Sequence, residues 1–427
     1  MKSKAVRFKK STIGERMSQL TGVRAIMKDI IETLRLGKDR KFYNFSAGNP
    51  LIIPQVEQLW RDLTKELLAS NDFAPTVCRY GGTQGYEPLL DAIVGDFNQR
   101  YGLKLTERNV LITPGSQSLY FFAANAYGGY DANGAKRKII LPLCPDYTGY
   151  GGVSVYQDVV ESYRPALDID EAHHRFKYRP NFSDLKFGDD TGCVIFSRPS
   201  NPTGNVLTDE EVTRLADMAS KVNAPVFIDS AYGPPFPALN FTEMTPIFGD
   251  NIIHCMSLSK AGLPGERIGI AIGSEEVLQT LECFESNACI HASRFGQALV
   301  AKAITSGALA ELATSIIRPF YQKKMEILSE VLDAHMPQEI PWYLHRGEGA
   351  IFAWLWLKDL PCSDVELYQK LKDQDVIVVP GNTFFPGLAD QWQHTSECLR
   401  ISLTTTDDDL RVGLKRLAQV VTAAYRA

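Results

Sequence analysis

Cysteine is sparse in this chain, and neither sign of charge dominates. The eight cysteines, at 78, 144, 193, 255, 283, 289, 362 and 398, form no Cys-x-x-Cys pair and no metal-ligand spacing with the seven histidines. A disulfide scaffold is thereby excluded, a zinc site has no support, and reduced, buried thiols are the expectation. A formal net charge of −5 supplies no field to recruit nucleic acid or an anionic membrane. The basic start from Lys2 to Lys10 is short and interrupted, and reads as a solvated tail. No apolar stretch approaches the roughly 20 residues needed to span a bilayer. None follows the basic start as a secretory signal would require, so a cytoplasmic location with no membrane partner is expected. Repeats and low-complexity segments are lacking. So are a Gly-x-x-x-x-Gly-Lys-[Ser/Thr] loop and a Gly-x-Gly-x-x-Gly after the first strand, which leaves a nucleotide-binding enzyme without its motifs.

What is present is a 427-residue chain, too long for one small core and suited to a two-domain enzyme. Its middle alternates short apolar runs with amphipathic stretches, the pattern of a mostly parallel sheet flanked by helices. Strands are predicted at Asn109–Thr113, Lys138–Pro142, Cys193–Ser197, Pro225–Asp229, Ile252–Met256 and Ile268–Ile272. The clearest helix is Asp209–Lys221, with Thr208 placed to cap it. The pattern changes at Arg318-Pro319. Beyond it lie a long helical stretch, the run Ala350–Trp356, and apolar segments at Val376–Val379 and Cys398–Leu403, a mix that reads as a smaller α+β domain. The expected division is 1–56 packing on the small domain, 57–318 as the large domain and 319–427 as the small one, with a cleft between the lobes.

Chemistry is concentrated at strand ends. Lys260 closes Ser257-Leu258-Ser259-Lys260 directly after a strand and shortly before Arg267. A lysine there suits a Schiff base to a phosphorylated aldehyde, pyridoxal phosphate. On its own it is more often a solvated lysine; its companions upstream reverse the weighting. Asp229 ends a strand and would pair with the pyridine nitrogen, and Tyr232, three residues on, would hydrogen-bond the ring's phenolic oxygen. Asn201, in Ser200-Asn201-Pro202-Thr203-Gly204 after another strand, offers an amide to the same oxygen, and Asn201-Pro202 is a candidate cis peptide. The turn Pro114-Gly115-Ser116-Gln117-Ser118, running into a helix that begins near Leu119, forms a phosphate cradle of backbone N–H groups, completed by Ser257 and Arg267. Tyr147 supplies a stacking face, against the alternative of a core tyrosine. Arg400 stands in the apolar run Cys398-Leu399-Arg400-Ile401-Ser402 and needs an anionic partner. A substrate α-carboxylate competes there with a structural ion pair.

The set Asn201-Pro202-Thr203-Gly204, Asp229-x-x-Tyr232, Ser257-x-Ser259-Lys260 with Arg267, and the late Arg400 resembles the class I and II aminotransferases of pyridoxal-phosphate fold type I. The resemblance runs from about Gly48 to Arg400 and implies a seven-stranded-type sheet in the large α/β domain. It implies that Lys260 is the Schiff-base lysine, Asp229 the pyridinium partner, and Asn201 and Tyr232 the phenolic-oxygen donors. Ser116, Gln117, Ser257 and Arg267 fall at phosphate positions, with Ser259 an addition, and Tyr147 at the stacking aromatic. Tyr80, in Arg79-Tyr80-Gly81-Gly82, matches a tyrosine that reaches the neighbouring subunit's phosphate, which implies a homodimer with shared sites. Gly48 matches a backbone contact to the substrate carboxylate and Arg400 the carboxylate-binding arginine. Relatives that act on acidic amino acids lend a second arginine across the dimer. Arg294 lies in that region, with its role open.

The activity so implied is ping-pong transfer of an amino group between an amino acid and a 2-oxo acid, with no metal and no nucleic acid. A lyase or decarboxylase of the same fold would use the same cofactor residues and stays open here. An aminotransferase-like regulator would need a DNA-binding domain, for which the first fifty residues are too short.

Overall fold

The computed structural model describes residues 8–19, 23–37 and 39–426. All six predicted strands lie in one sheet, with boundaries shifted by one or two residues. Its order is Val110–Pro114, Ile268–Ile272, Ile252–Ser257, Val226–Asp229, Thr191–Ser197, Lys136–Leu141 and Gly129–Tyr130, and Val160–Ser162 also pairs with Lys136–Leu141. The sheet therefore carries eight strands where seven were expected, the surplus being short pieces at one edge. Pairing is parallel from Ile252–Ser257 across to Lys136–Leu141, and Ile268–Ile272 runs antiparallel to both of its neighbours. The runs are apolar at nearly every position because both faces are covered. Thr191–Ser197 and Val226–Asp229 are buried throughout, as expected of parallel strands between helix layers. Each Val, Ile or Leu so placed contributes about 1.5–3 kcal/mol relative to exposure.

The helix read from Thr208 is present as Asp209–Ser220. Thr208 Oγ1 accepts from Glu211 N–H at 3.1 Å and Glu211 Oε2 accepts from Thr208 N–H at 2.8 Å, a reciprocal capping box. The helix after the 114–118 turn begins at Ser116 rather than near Leu119, because Gly115 supplies a φ of +85° that turns the strand into the helix at once. Asn201-Pro202 is not cis; the cis bond of that loop is Arg198-Pro199, with others at Cys144-Pro145, Pro234-Pro235 and Phe236-Pro237. Four cysteines are buried as expected, but Cys78, Cys283 and Cys289 are exposed and Cys362 is half-buried. Residues 8–10 of the basic start are exposed; the rest of it lies outside the described residues.

A second, six-stranded sheet has the order Val379–Pro380, Cys398–Ser402, Phe352–Leu357, Trp342–His345, Arg175–Arg179 and Ala166–Asp170. The chain enters it early: the Ala166–Asp170/Arg175–Arg179 hairpin, from the middle of the sequence, pairs in parallel with Trp342–His345. The helix Arg318–His335 continues a helical run that starts at Ala308, and a π-type turn at Ala313–Ile317 directly precedes Arg318-Pro319, where the regular hydrogen-bond ladder is interrupted. It lies against the last helix, Asp407–Arg426. Tyr43–Asn44 pairs in parallel with Val376–Ile377, so the segment carrying Gly48 is tied to this part of the molecule. Among the described residues no single helix is long and apolar enough to cross a membrane, and no group of three His, Cys, Asp or Glu side chains is disposed to hold a metal ion.

Candidate active site

Asp229 and Ser197 end neighbouring parallel strands in register with each other, and Asp229 is also in register with Cys255, two residues before Ser257. The loops that follow therefore leave from one edge of the sheet, where open α/β folds bind ligands. Pro114 pairs with Ile268 across the antiparallel strand, which sets Gly115 beside Arg267. A Cβ on Gly115 would lie 2.2 Å from Arg267 Nη2, so the guanidinium in this position lies directly over the glycine. Arg267, itself at φ +55°, donates to Ser259 Oγ (3.4 Å) and to the Pro264 carbonyl (3.3 Å), and Ser257 Oγ donates to Ser259 Oγ (3.0 Å). The helix that starts at Ser116 has no side-chain cap at Gly115, so its first N–H groups and dipole face the same place as Arg267.

Lys260 follows on the short turn Leu258–Ala261. It is half-buried, and its Nζ donates to the Gly48 carbonyl at 2.7 Å and lies 5.9 Å from the centre of the Tyr232 ring. Burial, reinforced by Arg400 and Arg267 and offset by Asp229, pulls its pKa down to about 8. Asp229 is buried. Its Oδ2 accepts from the Tyr150 hydroxyl at 2.9 Å and its Oδ1 from Ala231 N–H at 3.0 Å. Burial raises its pKa, against those hydrogen bonds and the Lys260 charge.

Arg400 sits in the middle of the strand Cys398–Ser402, opposite Trp354 on one side and Val379 on the other. Its Nη1 donates to Asn201 Oδ1 at 3.1 Å and its Nη2 to the Ser46 carbonyl at 2.9 Å. The guanidinium lies between two rings, 4.2 Å from the centre of Phe352 and 5.1 Å from that of Phe384. Burial lowers its pKa to about 10. No carboxylate pairs with it among the described residues, and its buried Nε has no hydrogen-bond partner. The ion-pair alternative for Arg400 therefore has no partner among the described residues.

Of the residues singled out from the sequence, Gly48, Asn201, Asp229, Tyr232, Lys260 and Arg400 thus come together. Tyr147 joins them, half-buried, within electrostatic reach of Asp229, Arg400 and Arg267. Ser116, Ser257, Ser259 and Arg267 gather at the helix start. Gln117 is exposed at the beginning of that helix with no hydrogen bond of its own. Tyr80 stands apart: it is 82% exposed, and its ring meets His291 edge-on at 6.0 Å. Arg294 is beside it, donating to the Tyr80 carbonyl (3.5 Å), 3.6 Å from Glu87, and stacked over Tyr86 at 4.9 Å.

Several contributors were not singled out from the sequence. Asp146, buried, accepts from Tyr147 N–H (2.7 Å) and Ser197 N–H (3.0 Å) and so ties the Tyr147 turn to the strand before Asn201; burial pushes its pKa up to about 7. Phe352 and Phe384 hold Arg400, and Tyr150 holds Asp229. A tyrosine three residues after Tyr147 in a glycine-rich turn was the only signal for Tyr150, and strand register was needed for the two phenylalanines.

Comparison with known proteins makes the class definite. The aminotransferase class I and II family profile matches residues 40–417, and the chain belongs to that family; it is an aminotransferase of fold type I. Over 415 residues it is 35% identical to the valine–pyruvate aminotransferase of Escherichia coli (strain K12), covering 97% of this chain and 98% of that one. It superposes on the crystal structure of valine-pyruvate aminotransferase AvtA from Salmonella typhimurium LT2 with a TM-score of 0.85 at 35% identity, covering 94% and 99% of the two chains. A solved structure from Psychrobacter arcticum 273-4 matches with a TM-score of 0.93 at 35% identity, over 98% and 100%.

Proposed function

We propose that this aminotransferase uses pyridoxal 5′-phosphate to move an amino group between valine and pyruvate, as a homodimer with shared active sites. The observation that carries the cofactor assignment is Lys260: an amine closed in at a strand end, its pKa pulled down to about 8, with Asp229 and Arg400 on the same cleft. The rest of the cleft fits the group. The uncapped helix start, Arg267 and the Ser257 and Ser259 hydroxyls offer donors suited to a phosphate dianion. The valine and pyruvate reading is supported by the two relatives of that name; an Arg294 that faced the cleft would weaken it.

When bound, pyridoxal phosphate supplies the electron sink that weakens the substrate's Cα–H bond. The chain's own residues do the remainder. Arg400, with Nη1 and Nη2 already fixed by Asn201 and Ser46 and its Nε free, grips the substrate α-carboxylate, and Gly48 lends backbone to the same group. Asp229 holds the proton on the ring nitrogen from the floor of the cleft, while Asn201 and Tyr232 donate to the phenolic oxygen. Tyr147 covers the ring face. Ser116, Gln117, Ser257, Ser259 and Arg267 hold the phosphate. Lys260 Nζ would anchor the cofactor and serve as the group that takes up and gives back the substrate's Cα proton. A pKa near the working pH suits a group that must accept and then give a proton. Tyr80, exposed on this chain and away from its own Lys260, would reach the phosphate held by the partner subunit.

The test is a product assay. Purified protein supplied with pyridoxal phosphate, valine and pyruvate should yield 2-oxoisovalerate and alanine in equal amounts. Carbon dioxide or ammonia in place of alanine would point to a decarboxylase or lyase instead. Turnover of other amino acids but not valine would keep the transaminase and discard the substrate pair.

A further inference from the structure

Two tyrosines flank Asp229 beneath the cleft, and only one of them is bonded to it. Tyr150, on the turn Thr148–Gly152, is fully buried and donates its hydroxyl to Asp229 Oδ2 at 2.9 Å. Its ring stands edge-on to Tyr147 on one side (centroids 5.3 Å apart, 85°) and to Tyr120 on the other (5.2 Å, 76°). Tyr120, on the helix Ser116–Tyr127, is equally buried, and its hydroxyl is close enough to Asp229 to favour the ionised carboxylate, but it makes no hydrogen bond of good geometry. With Ala231 N–H on Oδ1, the Tyr150 hydroxyl fixes the plane of the Asp229 carboxylate from both of its oxygens.

We propose that Tyr150 is a positioning residue for the amino-transfer reaction: it orients Asp229 toward the cofactor's ring nitrogen and braces Tyr147 against the ring face. This rests on the pyridoxal-phosphate reading given above. A hydrogen bond donated to the ionised carboxylate favours that form over the protonated one, so Asp229 stays an acceptor and the ring nitrogen keeps its proton. The Lys260 charge also favours ionisation of Asp229, but the groups bonded to the carboxylate are uncharged, the Tyr150 hydroxyl and the Ala231 N–H. The other buried carboxylate nearby, Asp146, is held by Ser197 and the Tyr147 backbone, and its own ionisation is opposed by burial and by the Asp229 charge.

The experiment compares Tyr150→Phe, Tyr120→Phe and the unmodified enzyme, each reconstituted with pyridoxal phosphate and with its N-methylated analogue, whose ring nitrogen carries a fixed positive charge. Removing the Tyr150 hydroxyl should lower kcat about ten- to hundredfold, the worth of a hydrogen bond to a charged group, and shift the pH at which the bound cofactor's visible band changes. With the N-methylated cofactor the difference between Tyr150→Phe and unmodified enzyme should collapse, because no proton then needs holding. Unchanged kcat and an unchanged band titration in Tyr150→Phe would overturn the proposal. So would an equal loss in Tyr120→Phe, or a loss that the N-methylated cofactor leaves intact, since either would mean packing alone. Should Tyr150→Phe not fold, fluorotyrosine at position 150 keeps the shape and makes the hydroxyl a stronger donor. The band titration should then move, and a fixed one overturns the proposal. Unmodified enzyme that binds no cofactor would overturn the pyridoxal-phosphate reading itself, a result separable from all of these.

Discussion

The floor of the cleft and its mouth are built on different principles. At the floor, Asp229, Tyr232 and Arg400 are buried, and their polar atoms are bonded mainly within the chain, to Tyr150, Ala231, Asn201 and Ser46. At the mouth, Gly48, Gln117, Arg267 and Tyr80 are exposed and make few bonds to their own chain. Burial is what shifts the titration of Lys260, Asp229 and Arg400. On the floor, Lys260 and Asp229 should therefore govern the rate of chemistry and Arg400 the binding of the amino acid, while the mouth should govern occupancy by the cofactor.

The largest effect expected is from Lys260→Ala. It removes both anchor and base, and turnover should fall by at least about 10³-fold while circular dichroism and Tm stay near those of the unmodified protein; measurable turnover close to normal would break the comparison at its centre. Asp229→Asn keeps the shape and deletes the charge, and kcat should drop about 10²–10³-fold, as for loss of a preorganised electrostatic group, with the amino-acid KM little changed. The lowered Lys260 pKa gives a pH test. A lysine of ordinary pKa would stay charged to pH above 10, whereas one titrating near 8 is half neutral there. The rate of pyridoxal-phosphate uptake by apoenzyme should thus rise about tenfold per pH unit up to about pH 8 and then level off, and a rise that continues to pH 10 would contradict the burial argument. Arg400→Ala should raise the amino-acid KM about ten- to hundredfold by removing charge-assisted bonds, with a smaller change in kcat. The smallest effect should come from the mouth: Arg267→Ala should weaken cofactor binding about tenfold and leave kcat nearly unchanged once cofactor saturates, which would separate occupancy from chemistry most cleanly.

Much of the floor was legible in the sequence, for a physical reason. Strands buried on both faces must be short apolar runs, so the end of each run marks the same sheet edge; Asp229 ends its strand there, and Asn201 and Lys260 follow theirs within four residues. Arg400 could be noticed because a charge within an apolar strand is costly and needs a reason. What could not be read depends on contacts between distant segments. Phe352 and Phe384 enclose Arg400 only because of strand register and the turn after Pro380. Tyr150 reaches Asp229 across 79 residues of sequence. The Ala166–Arg179 hairpin joins the second sheet through pairing with Trp342–His345, which no local pattern announces, and the cis bond fell at Arg198-Pro199 rather than at the neighbouring Asn201-Pro202, where the local sequence is as turn-like.

The central claim is that Lys260 is the residue that carries the cofactor. Protein reconstituted with pyridoxal 5′-phosphate, reduced with borohydride and digested, should yield one peptide bearing a pyridoxyl group on Lys260 when sequenced by mass spectrometry. Prior addition of valine should abolish the label, because the substrate amine displaces the lysine. A label on any other lysine, or none in a protein that still transaminates, would contradict the account from the floor of the cleft upward.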